Sequence, residues 1–295
     1  MNGIIVINKP KNYTSFDVVA VMRKLFSQKK VGHAGTLDPM ATGVLPILLG
    51  SATKAQDMFP NSDKEYISDF KLGITTDTLD ITGKILTTSD IKIEKRQVEE
   101  ELNHFRGAIK QVPPMYSALK KNGKKLYEFA RKGIEVKREG RDIFIKELEL
   151  IDFDEVEKSG SIRVLCSKGT YIRSLCDDLG RRLGCGAIMT DLKRTMACGF
   201  RIEDSVSIDK LKSVSESEIE KYVVGVESIF NYPSVNISES QSKRFKNGGS
   251  LDLFRTSLKD NCEDNGKFCV YYKEKFLGLG IISKKEQELK IYKLF

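Results

Sequence analysis

The stretch GHAGTLDPMATGVL, residues 32–45, holds an isolated carboxylate. Asp38 is the only formally charged residue between Lys30 and Lys54, and its neighbours are glycines, threonines and apolar residues. Glycine-rich backbone lets a ligand approach closely, and a carboxylate without charged neighbours in sequence must find a cation elsewhere in the fold. Asp before Pro is also a common turn initiator whose side chain binds local backbone amides. The residues alone therefore leave both a catalytic and a structural role for Asp38 open.

Three further side chains have the chemistry to act with this carboxylate. Arg173 in SKGTYIRSL follows a predicted strand and begins a predicted helix, and its guanidinium, if paired to Asp38, would hold the carboxylate ionised and fixed in direction. Tyr66 in KEYISDF carries a phenol of ordinary pKa about 10, which exchanges protons with a substrate only if its surroundings help. His33 precedes the Asp38 loop and is a candidate substrate contact. A solvated arginine, a core tyrosine and a hydrogen-bonded loop histidine are the plainer alternatives.

A basic segment follows later in the chain. Residues 111–133, QVPPMYSALKKNGKKLYEFARKG, combine clustered Lys and Arg with the aromatics Tyr116, Tyr127 and Phe129. Residues 104–147 contain twelve Lys and Arg against five Asp and Glu, which nearly accounts for the net charge of +8 on the whole chain. Basic residues interleaved with aromatics suit a nucleic acid, because they contact its phosphates and stack on its bases. An amphipathic helix with a solvated lysine face is the alternative interpretation.

Several classes of function lack their usual sequence motifs. The chain has no G-x-x-x-x-G-K-[ST], G-x-G-x-x-G or G-x-S-x-G, which argues against nucleotide hydrolysis, dinucleotide redox chemistry and triad acyl transfer. Only His33 and His104 can supply imidazole, and the six cysteines, Cys262 among them, form no C-x-x-C pair, so we expect reduced thiols and no zinc. The sequence has no apolar run of about 18 residues and no secretory signal at its start. We therefore expect a cytoplasmic protein that does not associate with membranes.

The elements that must position these residues are predicted from hydrophobic periodicity and turn residues. Strands are expected at GIIVINKP, VLPILLG, KEYISDFKLGI, GRDIFIKELELIDFDEV and GSIRVLCSKGTY. Helices are expected at TSFDVVAVMRKLF with Thr14 or Ser15 as N-cap, at about residues 94–105 and 124–132, and at YIRSLCDDLGRRLG with its end at Gly184. This pattern favours a mixed, largely antiparallel sheet over a doubly wound one.

The pattern changes toward the C-terminus. The segment SESEIEKYVVG has a helical pattern in which Ser215 and Glu218 are suited to a capping box, and short strands and turns follow it. We therefore predict a domain boundary near residue 231, with a larger domain at residues 1–230 and a small β-rich domain at residues 231–295.

Five fragments together resemble the bacterial tRNA pseudouridine-55 synthase family, TruB. They occur in the family's order over about residues 3–200, as GIIVINKP with TSFDVV, VGHAGTLDPMATGVLPILLGSATK, KEY followed by LG and DTLDITG, QVPPMYSALKKNGKKLYEFARKG, and SKGTYIRSL. The resemblance implies an α+β pseudouridine-synthase fold, in which helices flank the central mixed sheet of the catalytic domain. It also implies that the C-terminal domain is a small PUA-like RNA-binding domain.

The resemblance further implies roles for individual residues. The aspartate of GTLDP maps onto Asp38 as the essential catalytic residue, and Tyr66 and Arg173 complete the catalytic set. Substrate contacts carry over to His33, Tyr66, Tyr171 and Leu192. The basic segment resembles a thumb insertion at about residues 110–140 that closes over RNA, with contacts from Lys120, Lys121, Lys124, Lys125 and Arg131.

The function that the resemblance implies is isomerisation of the uridine at position 55, in the T-loop of tRNA, to pseudouridine. No cofactor or metal is expected, and the expected partner is the T-stem-loop of tRNA, bound by a monomer that requires no protein partner. Three alternatives stay open: a non-catalytic RNA-binding or tRNA-folding protein, a related synthase acting on another RNA, and a basic segment that docks a protein. The route through Asp38, by addition to C1′ or C6 or by deprotonation at C2′, is also open.

Overall fold

The computed structural model describes residues 1–121, 123–259 and 263–295, so Cys262 lies outside the described residues. The helices are α1 (Ser15–Leu25), α2 (Lys95–Leu102), α3 (Leu126–Ala130), α4 (Ile172–Arg182), α5 (Ile208–Ser213), α6 (Glu216–Ile219) and α7 (Glu239–Lys246). The strands are β1 (Gly3–Lys9), β2 (Val31–His33), β3 (Thr42–Leu49), β4 (Lys64–Leu72), β5 (Ile74–Thr76), β6 (Ile85–Thr88), β7 (Gly107–Gln111), β8 (Lys120–Lys121), β9 (Lys124–Lys125), β10 (Arg141–Asp154), β11 (Ser159–Cys166), β12 (Ala187–Ala197), β13 (Phe200–Arg201), β14 (Val206–Ser207), β15 (Val223–Val224), β16 (Ser234–Asn236), β17 (Leu251–Asp252), β18 (Lys267–Tyr272), β19 (Lys275–Ser283) and β20 (Glu288–Leu294).

A large mixed sheet forms the centre of the molecule. Its strand order is β14-β1-β3-β12-β4-β11-β10-β7, with β2, β13 and β15 paired beside this path. Among the described strands of this sheet, β1 with β14 and β3 with β12 are parallel, and the other pairs are antiparallel. Residues Tyr66, Ser68, Phe70 and Leu72 of β4 alternate onto the buried face, as the period of two in a half-buried strand requires. The predicted α+β fold with a mixed, largely antiparallel sheet is confirmed.

The register of β12 brings distant segments together. Arg194 of β12 pairs in parallel with Gly43 of β3 and lies opposite Tyr66 of β4. Gly43 has φ +103°, and a Cβ atom there would lie 2.1 Å from the carbonyl oxygen of Arg194. Only glycine therefore permits this close approach of two backbones. The start of β3, which follows the Asp38 loop, is thereby fixed against the strand that borders Tyr66.

Helices α1 and α4 have ends that the sequence predicts. Thr14 is the N-cap of α1, and its side chain and that of Asp17 form a reciprocal capping box. Helix α4 runs to Arg182, and Gly184 follows with φ +73°, the left-handed conformation typical of a glycine just after a helix. Each helix packs one buried face on the large sheet. The first turn of α4 contains Arg173, and the first turn of α1 adjoins the loop that carries Asp38.

Two predicted helices differ from the observed elements. Residues 124–132 are predicted to be helical, but Lys124–Lys125 pair with Lys120–Lys121 as the hairpin β8–β9, and only Leu126–Ala130 are helical. Gly123 has φ +80° in the turn, a conformation that glycine adopts without strain. The helix predicted at 94–105 is shortened to α2 at both ends, because Glu94 is its N-cap in a capping box with Gln97 and Asn103–Phe105 form a 3-10 turn.

A smaller β-rich unit lies at the C-terminal end. Its strand order is β16-β18-β19-β20-β17, and Phe245 of α7 packs in its core with Val270 and Leu289. A separate apolar cluster joins this unit to the large sheet, through contacts that include Leu48 and Leu279. The capping box predicted at Ser215 and Glu218 is present at α6, which is shorter than predicted. The boundary near residue 231 stays a prediction.

The sequence also led to expectations about the cysteines and about membrane association. The described cysteines are free thiols, namely Cys166, Cys176, Cys185, Cys198 and Cys269. Among the described residues, no helix has the length and apolar character needed to cross a membrane.

Candidate active site

The loop between β2 and β3 presents the Asp38 carboxylate at the edge of the large sheet. Ser15 of α1 holds this loop, because its Oγ accepts a hydrogen bond from the Leu37 amide at 2.9 Å and donates one to the Leu37 carbonyl at 3.2 Å. The Ala41 amide donates to the backbone carbonyl of Asp38 at 3.1 Å, so this turn is closed without the carboxylate. The Asp38 side chain is 36% exposed. The geometry thus favours a chemical over a turn-forming role for the carboxylate.

Arg173 supplies the cation for Asp38. Its Nη2 lies 2.8 Å from Oδ2 of Asp38, and its Nη1 lies 3.7 Å from Oδ2 of Asp80. The guanidinium also donates to the carbonyls of Thr78 at 3.1 Å and Tyr116 at 2.9 Å. Because the Arg173 side chain is only 6% exposed, these partners fix its position. The structure therefore brings together two residues 135 positions apart in the sequence, as the sequence-based hypothesis requires.

Asp80 is a member of this network that the sequence analysis did not single out. Its Oδ1 accepts hydrogen bonds from the hydroxyls of Thr78 at 2.8 Å and Thr82 at 2.6 Å, and from the Thr82 amide at 3.0 Å. Its side chain is 7% exposed. The hydrogen bonds fix this buried carboxylate in place. It holds the Nη1 side of the Arg173 guanidinium, while Asp38 binds Nη2. The available signal was the motif DTLDITG, which was part of the resemblance.

Tyr66 lies in β4 opposite Arg194 and is 6% exposed. Burial raises the pKa of the Tyr66 phenol to about 12, and the nearby Arg194 guanidinium opposes this rise. At neutral pH the phenol therefore keeps its proton. In this state Tyr66 can donate a hydrogen bond or relay a proton. It cannot act as a general base, because the phenol is not deprotonated at neutral pH.

Arg194 is a second residue that the sequence analysis missed. Its fully buried side chain donates to the carbonyls of Val44 at 2.8 Å, Gly35 at 3.1 Å and Thr36 at 3.2 Å. These acceptors lie on both sides of Asp38 in the sequence. A rigid planar guanidinium suits this geometry better than a flexible ammonium. Arg194 thus fixes the backbone that carries the carboxylate.

Lys9 holds the same loop from β1. Its Nζ is fully buried and donates to the carbonyls of Tyr13 at 2.6 Å, Pro10 at 2.9 Å and Pro39 at 3.2 Å. Pro39 directly follows Asp38. Three carbonyl acceptors match the three donors of an ammonium, so the buried side chain of Lys9 has its hydrogen bonds satisfied without solvent. Lys9 thereby positions the loop.

His33 ends β2 and packs against Phe16. The two ring centroids are 5.5 Å apart and the rings meet edge-on at 88°. Burial, and then the Arg194 guanidinium, lower the pKa of the His33 imidazole. His33 is therefore neutral at neutral pH, and it adjoins the loop that carries Asp38.

Tyr171 and Leu192 lie on the two elements next to the site. The Tyr171 amide donates to Oε1 of the buried Gln111 at 2.8 Å, and Nε2 of Gln111 donates back to the Tyr171 carbonyl at 3.0 Å. Burial raises the pKa of the half-buried Tyr171 phenol. Leu192 of β12 is 6% exposed and lies opposite Ser68 of β4. Gln111 thus fixes the backbone just before Arg173.

The thumb segment, residues 110–140, adjoins the site and carries the predicted cations. Its Tyr116 carbonyl accepts from Arg173, and its Val112 carbonyl accepts from Ser174 Oγ at 2.9 Å. Beyond these anchors, Lys125 is half-buried and the other predicted cations are exposed, namely Lys120, Lys121, Lys124 and Arg131. Lys125 and Arg131 lie 5.4 and 5.2 Å from the Tyr127 ring centroid. One end of the segment is thus tied to the site while its lysine hairpin faces solvent.

A cavity of about 440 Å³ separates part of the thumb segment from α4. Its wall includes Tyr116 and Ser174, together with the acidic residues Asp177 and Asp178. Asp177 is paired with Arg181 at 2.7 Å. Within the described ranges, no group of three or more His, Cys, Asp or Glu side chains is arranged to hold a metal ion.

Asp178→Asn is expected to stabilise the protein above pH 6. Burial raises the pKa of the Asp178 carboxyl from 3.8 to about 6, and Asp177 adds to the rise. The folded protein holds a proton that the unfolded chain releases, so stability falls as the pH rises from about 4 to about 6. The variant lacks this loss, and its free energy of unfolding should exceed the wild-type value by about 1–2 kcal/mol at pH 7. Urea titrations at pH 4 and pH 7 measure this difference, and equal stabilities at pH 7 would contradict it.

Comparison with solved structures defines the fold. The chain superposes on a chain of the crystal structure of a Cbf5-Nop10-Gar1 complex with a TM-score of 0.68 and 24% identity, covering 99% of this chain and 84% of that one. It matches a chain in the structure of an H/ACA RNP bound to a substrate RNA containing 2′-deoxyuridine with a TM-score of 0.68 and 23% identity, at the same coverage. The architecture is thus the pseudouridine-synthase fold.

Comparison with protein families gives the particular group. Residues 23–172 match the model of the TruB family pseudouridylate synthase N-terminal domain, and residues 173–231 match that of the tRNA pseudouridylate synthase B C-terminal domain. Proteins named tRNA pseudouridine synthase B are similar over the full chain. The one from Clostridium tetani is 47% identical, covering 100% of this chain and 99% of its own, and that from Fusobacterium nucleatum is 43% identical, covering 100% of each. The chain belongs to the TruB family of pseudouridylate synthases, which are isomerases.

Proposed function

We propose that this protein converts the uridine at position 55, in the T-loop of tRNA, to pseudouridine, with Asp38 as the reacting carboxylate. The observation that carries the proposal is the 2.8 Å ion pair between Asp38 and the buried Arg173, beside a basic segment anchored to the same arginine. The names of the relatives support tRNA as the substrate. We also propose that the enzyme acts on tRNA in the cytoplasm and that its active species is a monomer.

The reaction needs chemistry that these side chains supply. Isomerisation breaks the N1–C1′ bond, turns the uracil and joins C5 to C1′, while C5 loses a proton and N1 gains one, so atoms and electrons balance without a cofactor. Arg173 fixes the direction of the Asp38 carboxylate, while Arg194 and Lys9 hold its loop through backbone carbonyls. A carboxylate placed in this way can add to C1′ or C6, or remove a proton from C2′. Each of these routes begins with an ionised, oriented Asp38.

Base flipping is part of the proposal. A uridine stacked in a folded RNA loop is out of reach of a side chain at the edge of a sheet, and extruding it costs a few kcal/mol. The exposed cations of the thumb segment, such as Lys120 and Lys124, would offset this cost through phosphate contacts. His33, Tyr171 and Leu192 border the Asp38 loop or Arg173 and are the proposed contacts of the extruded nucleotide.

Tyr66→Phe is expected to retain RNA binding and to lower turnover by about 10²-fold or more. The buried phenol keeps its proton, because burial raises its pKa to about 12, so we propose that it relays the proton that leaves C5 after the uracil has turned. Turnover is measured as tritium release from tRNA labelled at uridine C5, and binding by filter retention. Tyr271→Phe, in the C-terminal unit, is the matched control. Normal turnover in Tyr66→Phe would remove the phenol from proton transfer.

One experiment tests the proposed function against its alternatives. Purified protein is incubated with an unmodified tRNA transcript tritiated at uridine C5, and the product is mapped by position. Release confined to the T-loop uridine supports the proposal. Release only from another RNA makes the protein a synthase of different specificity, whereas tight binding without release makes it a non-catalytic RNA-binding or tRNA-folding protein. RNA affinity that does not fall with added salt would instead favour a protein partner for the basic segment.

A further inference from the structure

An exposed aromatic ring stands beside the Asp38 loop without a role in the chemistry described above. Phe16 lies in the first turn of α1, and 68% of its surface is exposed. The buried face of this helix is formed by other residues, namely Ser15, Val18, Val19 and Met22. A single exposed phenylalanine is common on protein surfaces and by itself indicates nothing. The surroundings of Phe16 distinguish it from such a residue.

The Phe16 backbone is fixed at the start of α1, and its ring contacts that of His33. Its backbone lies within the capped first turn of α1, where Thr14 and Asp17 form the capping box. Its neighbour Ser15 binds both the amide and the carbonyl of Leu37, which directly precedes Asp38. Its ring meets that of His33 at 5.5 Å and 88°. Two rings on two different elements thus form one corner beside the loop that carries Asp38.

We propose that Phe16 and His33 form a two-ring corner on which a nucleobase of the RNA substrate stacks, with the exposed face of Phe16 as the platform. This inference rests on the proposed function. Aromatic side chains stack on unpaired bases of any sequence, and an edge-on ring pair leaves the face of one ring free. Burial keeps His33 neutral, so the corner is apolar and suits a base better than a phosphate. The base that stacks there neighbours the extruded uridine, because Phe16 adjoins Asp38 through Ser15 and Leu37.

The chain contains no tryptophan, so Phe16→Trp introduces a single fluorescent reporter at the corner. We expect saturating tRNA to quench the emission of this variant by about half, because a base stacked on an indole quenches its fluorescence. Val156→Trp is the control, since Val156 is 85% exposed in the β10–β11 turn. The neighbouring residue Ser159 pairs with Lys71, whereas Val164 pairs with Tyr66, so this turn lies at the other end of β4. Its emission should not change.

Affinity provides the second readout. Phe16→Leu is expected to weaken tRNA binding and raise KM by about tenfold with kcat nearly unchanged, because stacking on one base is lost, and Phe16→Tyr should bind as the wild type does. The inference would be overturned if tRNA did not quench Phe16→Trp and Phe16→Leu bound tRNA with wild-type affinity. The proposed function would still stand if the wild-type protein released tritium. Quenching without any tritium release by the wild type would overturn the proposed function and leave the stacking corner. A wild type that binds no RNA would overturn both.

Discussion

Asp38→Asn should abolish tritium release, lowering turnover by about 10⁴-fold or more, while RNA affinity stays close to that of the wild type. Asparagine has nearly the same shape as aspartate, so it keeps the loop held by Ser15 and Arg194 but cannot add to carbon or accept a proton. The loop is closed by backbone hydrogen bonds, with the Ala41 amide bound to the Asp38 carbonyl. The substitution therefore removes the chemistry and little of the structure.

The matched control for this substitution is Asp90→Asn. Asp90 is another aspartate in an ion pair, with Lys158 at 2.6 Å. The Lys158 carbonyl accepts from the amide of Leu72, at the end of β4 away from Tyr66. Its removal should leave turnover and RNA affinity unchanged. Single-turnover assays with the C5-tritiated transcript and filter binding are carried out on both variants. Turnover by Asp38→Asn within tenfold of the wild type would show that the carboxylate is not the reacting group.

Arg173→Lys has the second largest expected effect, a loss of turnover of about 10²- to 10³-fold. The guanidinium holds Asp38 and Asp80 and also donates to the carbonyls of Thr78 and Tyr116. An ammonium is a compact charge without a planar fork, so it cannot reach all of these partners and will leave Asp38 misdirected. Turnover should fall while the charge of the site is kept.

Two further variants separate the chemical from the structural part of this effect. Arg173→Met leaves the buried Asp80 without its cation and should lower the free energy of unfolding by about 3–5 kcal/mol. Adding Asp80→Asn to Arg173→Met removes the unpaired charge and should restore most of the stability but no turnover. Urea titration and tritium release measure the two properties. Recovery of turnover together with stability would show that Arg173 acts only on folding.

Local patterns in the sequence predicted most of the elements. The alternation of Tyr66, Ser68 and Phe70 predicted β4, and the Thr14 and Asp17 side chains cap α1 where the sequence placed its start. These signals depend on side chains a few residues apart, so they survive folding unchanged. Lys124 and Lys125 were wrongly predicted to be helical, because their spacing is compatible with the helix that begins at Leu126 and pairing across Gly123 is a competing local choice.

The sequence by itself determined the candidate carboxylate, the basic thumb segment and the family to which the chain belongs, since each depends on residue types in a fixed order. Only the tertiary structure decided which groups hold Asp38, either directly or through Arg173 and the loop backbone. Arg173, Asp80, Arg194 and Lys9 come from four separate segments, and the two loop-holding cations bind backbone carbonyls. A carbonyl is the same for every residue type, so no sequence pattern marks it as an acceptor. The register of β12 between β3 and β4 brings those acceptors to their donors.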